Sequence, residues 1–461
     1  MEKIGKTNRD KHTNRTTGRN RNTKKNNVKK YSSERDTLDV ESMISSRERR
    51  RRRRIRSQIL AYLTLVVLVV IVISSCFFGV KAIVKHVKAY NDKVSEALLE
   101  AESSAELLSE ASSENESSDS QTSAFSEVNE FDEMIAELIK DMPLEDKVAG
   151  LFMVSPESIT GVEAAVKAGD GTRDALAQMP VGGIIYSEKN FKSEEQFKEM
   201  LDSTKGYSKY PLFLALYREC GVSTSFGIDE TPAASELTDS DSVSQAYSTI
   251  GQKLMSYGIN MDMAPVADIV SEEGSSELQG RTFGSDAATA APLANAAVLA
   301  LQNSEVSAVL QKFPGEAATA KSLEELNNSE FLIYQMAIEN GVDCIMVSNK
   351  AASGVTGDET PASLSSSMIT DTLRGTLGYN GVVITDKLND SSIAGTYGDE
   401  VAAVSAIQAG ADIILEPSDY QTAYNAVLQA VKDGKITEDR INESLYRIYR
   451  VKYKNALNGA Q

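Results

Sequence analysis

The chain has 461 residues and a formal net charge of −18, but the charge is divided: up to Gln58 there are 20 Lys and Arg against 7 Asp and Glu, about +13, which leaves the rest near −31. So acidic a body is not built to neutralise a phosphate backbone, and no nucleic-acid partner is expected. Cys76, Cys220 and Cys344 are too few for a disulfide framework, and Cys220 and Cys344 read as small buried residues at strand ends.

Residues 1–56 are rich in Lys, Arg, Asn and Thr with few large apolar side chains, so they are expected to form a solvated, unstructured tail. It ends in an arginine cluster between Arg47 and Arg56. Residues 57–80 then read as a transmembrane signal anchor, because Ile59 to Val80 carries no charge and is long enough to span a hydrocarbon core of about 30 Å as a helix. The positive-inside rule keeps the arginines cytoplasmic and puts the C-terminal domain outside. A cleaved signal peptide fits less well, since the basic region is long, the apolar run over-long and an A-x-A site absent. Residues 81–129 are rich in Ala, Ser and Glu and read as a flexible stalk, with a helix expected within Val94 to Ser109.

The folded domain is expected over 130–456. Eight apolar runs recur in it: VAGLFMVS from Val148, VGGIIYS from Val181, LFLALY from Leu212, INMDMAPVAD from Ile259, VSAVLQKF from Val306, DCIMVSN from Asp343, GVVITD from Gly381 and ADIILEP from Ala411. Strands covered on both faces read as such continuous runs rather than alternations. Segments with helical spacing separate them, among them SEEQFKEMLDSTKGY, DAATAAPLANAAVLALQNS and KSLEELNNSEFLIYQMAIENG. The pattern predicts an α/β fold, a single (β/α)8 TIM-like barrel. An open doubly wound sheet is the alternative, although no glycine-rich dinucleotide fingerprint follows the first run. Functional side chains of such barrels stand where strands end, so Asp386, which ends YNGVVITD, is placed at the mouth.

The order LFMV, PVGGIIYSEKN, PLFLAL, GINMDMAPVADI, RTFGSD, KFPG, GVDCIMVSN, TPASLS, GVVITDKL and AIQAGADIILEP, from Asp132 to Lys454, resembles the barrel domain of glycoside hydrolase family 3. The branch it is most similar to is the single-domain bacterial β-N-acetylhexosaminidases. The resemblance implies activity on β-linked N-acetylglucosamine of cell-wall fragments, with no cofactor. It also implies Asp386 at the nucleophile position and Arg281, in GRTFG, as a sugar contact.

Departures from that pattern are concentrated at the mouth. Where the family has a sugar-binding aspartate after the third strand, ALYRECGVSTSFG has Tyr217, and Val222 and Ser225 stand where arginines are usual. Before Phe313-Pro314-Gly315 the family has Lys-His; this chain has Gln311-Lys312, and Lys312 is expected to supply one donor to the sugar. The family's proton donor is an Asp–His dyad on a loop after that motif. Here the only histidines are His12 and His86, both before the domain, and the loop is shortened. Glu324 and Glu316 are the candidate substitute acids, against a structural reading as first-turn acidic residues. Ser322 and Glu325 have capping-box spacing. Asp262 and Asp268 are expected to hold the rim together, and no Cys/His spacing suited to a metal occurs in the domain.

Two functions follow from the sequence. One is a membrane-anchored, outward-facing glycosidase acting on carbohydrate or peptidoglycan fragments. The other is a pseudoenzyme that uses the same barrel to bind carbohydrate or to scaffold at the cell envelope.

Overall fold

The computed structural model describes residues 130–221, 226–228, 230–269 and 278–458. The basic tail, the apolar segment 59–80, the stalk, His12, His86, Val222 and Ser225 lie outside the described residues, among which no helix is long and apolar enough to cross a membrane.

Eight parallel strands appear, each inside one of the apolar runs: β1 Phe152–Val154, β2 Gly183–Ile185, β3 Phe213–Leu216, β4 Met261–Asp262, β5 Ser307–Phe313, β6 Cys344–Val347, β7 Val382–Thr385 and β8 Ile414–Leu415. Their order is sequential from β1 to β7, and β8 pairs with β1 through Phe152↔Ile414 and Met153↔Leu415. A parallel bridge between Ile384 and Ile413 joins β7 to the start of β8 and completes the circle. The outward faces are covered by helices whose first turns are capped from the preceding loop. Ser193 accepts the Gln196 N–H, Asp239 that of Ser242, Asp286 that of Thr289 and Asp419 that of Thr422; each such cap contributes roughly 1 kcal/mol. With helices outside and side chains packed inside, the strand residues Phe152, Leu214, Met261, Leu310, Ile345, Val383 and Ile414 are shielded from water on both faces. That explains the unbroken apolar runs. Cys220 and Cys344 are buried and unpaired.

The β7–β8 seam is stitched by one carboxylate. Asp412 is fully buried, and its Oδ2 accepts the Val383 N–H at 2.9 Å and the Arg374 guanidinium at 2.6 Å. Its Oδ1 accepts the Ser444 hydroxyl at 2.6 Å and Arg447 at 3.1 Å, with Arg440 at 3.7 Å. Arg374 comes from the π-helix Ser367–Thr376; Arg440, Ser444 and Arg447 come from the C-terminal helix Glu438–Asn458.

The same C-terminal helix closes the barrel floor. Lys452 is buried there, and its ammonium donates to the carbonyls of Gly182 at 2.7 Å and Pro211 at 2.8 Å, at the starts of β2 and β3. The rings of Phe213 and Tyr449 lie 4.9 and 5.1 Å from it. Residue 182 must be glycine, because a Cβ there would meet the Gly150 carbonyl oxygen at 2.0 Å.

One expectation is revised. The segment KSLEELNNSEFLIYQMAIENG forms two helices, Leu323–Asn327 and Phe331–Glu339, rather than one. Asn328 closes the first by donating to the Glu324 carbonyl, and Glu330 turns into the interior, where Lys321 and Ser329 hold its carboxylate. Satisfying that buried charge outweighs continuation of the helix.

Asp412→Ala leaves Arg374, Ser444 and the Val383 N–H without their common acceptor, and should cost about 3–5 kcal/mol in denaturant unfolding; a loss below 1 kcal/mol would show that the seam stands without it. Lys452 gives a pH signature. Burial lowers its pKa from the ordinary lysine range to about 7. Between pH 7 and 10 the unfolded chain therefore binds a proton that the folded one lacks, and stability from this group rises with pH by at most about 1.4 kcal/mol per unit. The stability advantage of Lys452→Met over the parent should be greatest below pH 7 and shrink toward pH 10. An advantage constant across that range would rule out titration of the buried amine.

Candidate active site

The C-terminal ends of β3, β5, β7 and β8 converge on one group of charged side chains. Asp386 follows β7 directly: its N–H donates to the Val347 carbonyl at 2.8 Å, and its Oδ1 accepts the Lys387 N–H at 2.8 Å. The other oxygen faces Lys312, whose Nζ lies 3.6 Å from Asp386 Oδ2 and 3.7 Å from Glu316 Oε1. The two carboxylates are thus brought together across one ammonium. Their facing oxygens can be no farther apart than those two contacts end to end, about 7 Å. All three side chains are between 14% and 20% exposed, open enough for a ligand to reach.

Lys312 belongs to β5, and Glu316 opens a short turn, Glu316–Ala318, immediately after Phe313-Pro314-Gly315. Glu324, in contrast, is exposed in the first turn of Leu323–Asn327, where Ser322 and Glu325 form the capping box that their spacing predicts. Of the two candidate acids, Glu316 is the one with a contact linking it to Asp386.

Arg281 is held by Glu219 in a two-pronged pair, Nε to Oε2 at 2.6 Å and Nη2 to Oε1 at 2.7 Å. Gln311 adds a third donor to the same carboxylate at 3.2 Å. Such fork geometry fixes the guanidinium plane and not merely its charge. Lys387 pairs with Glu416, at the end of β8, at 2.8 Å, and its ammonium lies 4.8 Å from the centroid of the Tyr217 ring. Asp386 therefore takes Lys312 as its ion partner, while Arg281 and Lys387 are directed elsewhere. Glu416 has φ of +40°, rare for a residue with a side chain, and strain of this kind gathers at functional sites.

Tyr217 stands at the end of β3. Its ring is part-exposed, but its hydroxyl is sealed from water and has no hydrogen-bond partner among the described residues. Burial, then the Asp386 and Glu416 carboxylates, pushes the hydroxyl well above the ordinary tyrosine range, so it stays a neutral donor. Below this layer, Asp262 is fully buried and accepts the Arg218 N–H at 2.8 Å; burial drives its pKa upward. Asp268 bridges the rim, accepting the N–H groups of Ile269 at 3.0 Å and Glu316 at 2.7 Å. Both aspartates have the rim-holding contacts expected of them.

Glu219 and Glu416 were not singled out from the sequence. For Glu416 the signal was present, since ADIILEP is an apolar run ending in an acid, the feature that marks Asp386. For Glu219, inside the irregular YREC stretch, only its position after the third strand could have pointed to it.

Comparison with known proteins places this arrangement. The family model described as glycosyl hydrolase family 3 N terminal domain matches residues 143–451. An uncharacterized secreted glycosyl hydrolase of Arthroderma benhamiae is 30% identical over 295 residues, covering 58% of this chain and 83% of that protein. A beta-N-acetylglucosaminidase/beta-glucosidase of Cellulomonas fimi is 28% identical over 298 residues; the match covers 59% of this chain and about half, 52%, of the relative. Among solved structures, a glycoside hydrolase family 3 beta-N-acetylglucosaminidase from Paenibacillus superposes with a TM-score of 0.63 at 31% identity, over 69% of this chain and 63% of that one. The structure of LpqI from M. tuberculosis gives 0.62 at 24% identity, over 69% and 96%, which speaks for the fold alone.

Tyr217→Phe removes a buried hydroxyl with no partner, so it should leave stability unchanged or raise it by up to about 1 kcal/mol. Thermal unfolding of the two proteins decides this; a drop of more than 1 kcal/mol would reveal a bonded hydroxyl.

Proposed function

The chain belongs to glycosyl hydrolase family 3, and on that premise we propose that it is a membrane-anchored glycosidase of the outer cell surface. It acts on β-linked N-acetylglucosaminides of cell-wall type, with Asp386 as nucleophile and Glu316 as acid and base. The observation that carries this reading is the Lys312 ammonium lying within 3.7 Å of both carboxylates at the barrel mouth. Retaining glycosidases use two carboxyl groups about 5–5.5 Å apart, within the span that this contact allows. Asp386 attacks the anomeric carbon as the Glu316 carboxyl protonates the departing oxygen. Glu316 then takes a proton from the water that releases the sugar from Asp386. Lys312 and Arg281 supply donors to the sugar, and Tyr217 an aromatic face. The substrate class is supported by the names of the Cellulomonas fimi and Paenibacillus relatives. Anchorage and orientation rest on the arginine cluster before the uncharged run Ile59 to Val80.

A second reading, a carbohydrate-binding or scaffolding barrel without turnover, is favoured by Tyr217. The family resemblance expects a sugar-binding carboxylate there, and its hydroxyl is instead closed in among Asp386, Glu416 and Glu219.

The full chain in detergent should cleave an activated aryl β-N-acetylglucosaminide, with Asp386→Asn abolishing turnover and azide trapping the glycosyl-enzyme intermediate. Glu316→Gln should lower kcat/KM for substrates with poor leaving groups by about 10²–10⁴-fold and spare kcat/KM for the activated one, whose turnover, held back by loss of the base, azide restores. If the parent cleaves neither substrate while still binding N-acetylglucosamine, the second reading replaces the first.

A further inference from the structure

Glu316 has a support that no feature of its own side chain supplies. The Asp268 carboxylate is only 1% exposed, and its Oδ2 accepts the Glu316 backbone N–H at 2.7 Å while Oδ1 accepts that of Ile269 at 3.0 Å. The turn between them is made to measure. Gly315 has φ of +118°, and a Cβ on it would come within 3.1 Å of Glu330 Cγ and 3.3 Å of Asp268 Oδ1. Glu330, fully buried, is held in turn by Lys321 and Ser329. The residue that presents the acid is therefore clamped through its main chain by two buried carboxylates, one bonding it and one walling the turn.

We propose that Asp268 is a positioning residue for Glu316, setting the location of the acid at the barrel mouth through the Glu316 backbone N–H. This rests on the reading of Glu316 as the acid. Asp268 itself touches no reacting atom. The ionisable groups facing it are Glu316, Glu330 and the Tyr334 hydroxyl, with Lys321 on the far side of Glu330. Burial raises its pKa to about 6, against the two backbone donors that lower it and with Glu316 and Glu330 adding to the rise. An ionised carboxylate is the stronger acceptor, so the clamp is tight above about pH 6 and slackens below it.

The test uses the full chain in detergent, with Asp268→Asn and, as an independent disturbance of the same turn, Gly315→Ala. Two readouts are taken. Hydrogen exchange of the 313–318 segment, corrected for intrinsic rates, should lose about tenfold protection in Asp268→Asn. kcat/KM for phenyl β-N-acetylglucosaminide should fall about 10–100-fold, while kcat/KM for the dinitrophenyl substrate, whose departure needs no acid, stays within about twofold. In a Glu316→Gln background, Asp268→Asn should cost nothing more, because both changes act through one group. Unchanged exchange, or additive losses, or equal losses on both substrates would each overturn the proposal. If exchange loosens as expected but Glu316→Gln cleaves the phenyl substrate like the parent, the proposal falls with the reading of Glu316, and the failure lies in that reading rather than in the clamp. Should Asp268→Asn not fold, Gly315→Ala must show the same leaving-group selectivity, and its absence is an equal refutation.

Discussion

Everything at the barrel mouth depends on a carboxylate at the other end of the same strands. Asp412 is cut off from water, and an ion in that position is tolerated only if its oxygens are fully bonded. Three arginines, a hydroxyl and a backbone N–H satisfy it, drawn from β7, the π-helix and the C-terminal helix. This matters because β7 and β8 are short, and the Asp412 bonds reinforce the few backbone bonds that join them, such as the Thr385 N–H to the Ile413 carbonyl and the Ile413 N–H to the Val383 carbonyl, both at 3.0 Å. Their register is what places Asp386 and Glu416 beside one another. A slip of one residue would turn the side chains of the shifted strand to the opposite face of the sheet.

At the mouth the charges satisfy each other. Glu219 occupies both prongs of Arg281, Glu416 takes Lys387, and Lys312 divides itself between Asp386 and Glu316. The three arrangements differ in how easily a ligand displaces them. The Arg281 pair is short and two-pronged, so the guanidinium is held in a fixed plane. Lys312 stands at 3.6 to 3.7 Å from two partners, longer than a close ion pair, and is the member free to swing toward a sugar hydroxyl. Lys387 is the most exposed cation of the three at 41%, so solvent screening weakens its pair.

Much of this was legible beforehand, for a physical reason. Strands buried on both faces write themselves as apolar runs, and a charge at the end of such a run must sit at the rim, which is how Asp386 was found. The capping box at Ser322 and Glu325 was equally local. The partners of the rim charges were not legible, because Lys312, Glu316, Lys387 and Glu416 meet only after three separate strands are brought into register. The break at Asn328 escaped for a related reason: nothing in NNSEF announces that Glu330 turns inward to meet Lys321. Positive φ at Glu416 also has no sequence signature, since glutamate is not a residue that favours it.

Closure by the last elements of the chain has a consequence for biogenesis. β1 takes its second neighbour from β8, more than two hundred residues later, and the arginines that lock the seam come later still, from Arg440 and Arg447. At synthesis rates of about 5–20 residues per second, β1 waits at least about ten seconds for β8. A chain delivered N-terminus first is therefore adhesive for most of its birth, and a ribosome that stalls short of β8 leaves a sheet with two bare edges, a substrate for chaperones and proteases rather than a smaller barrel.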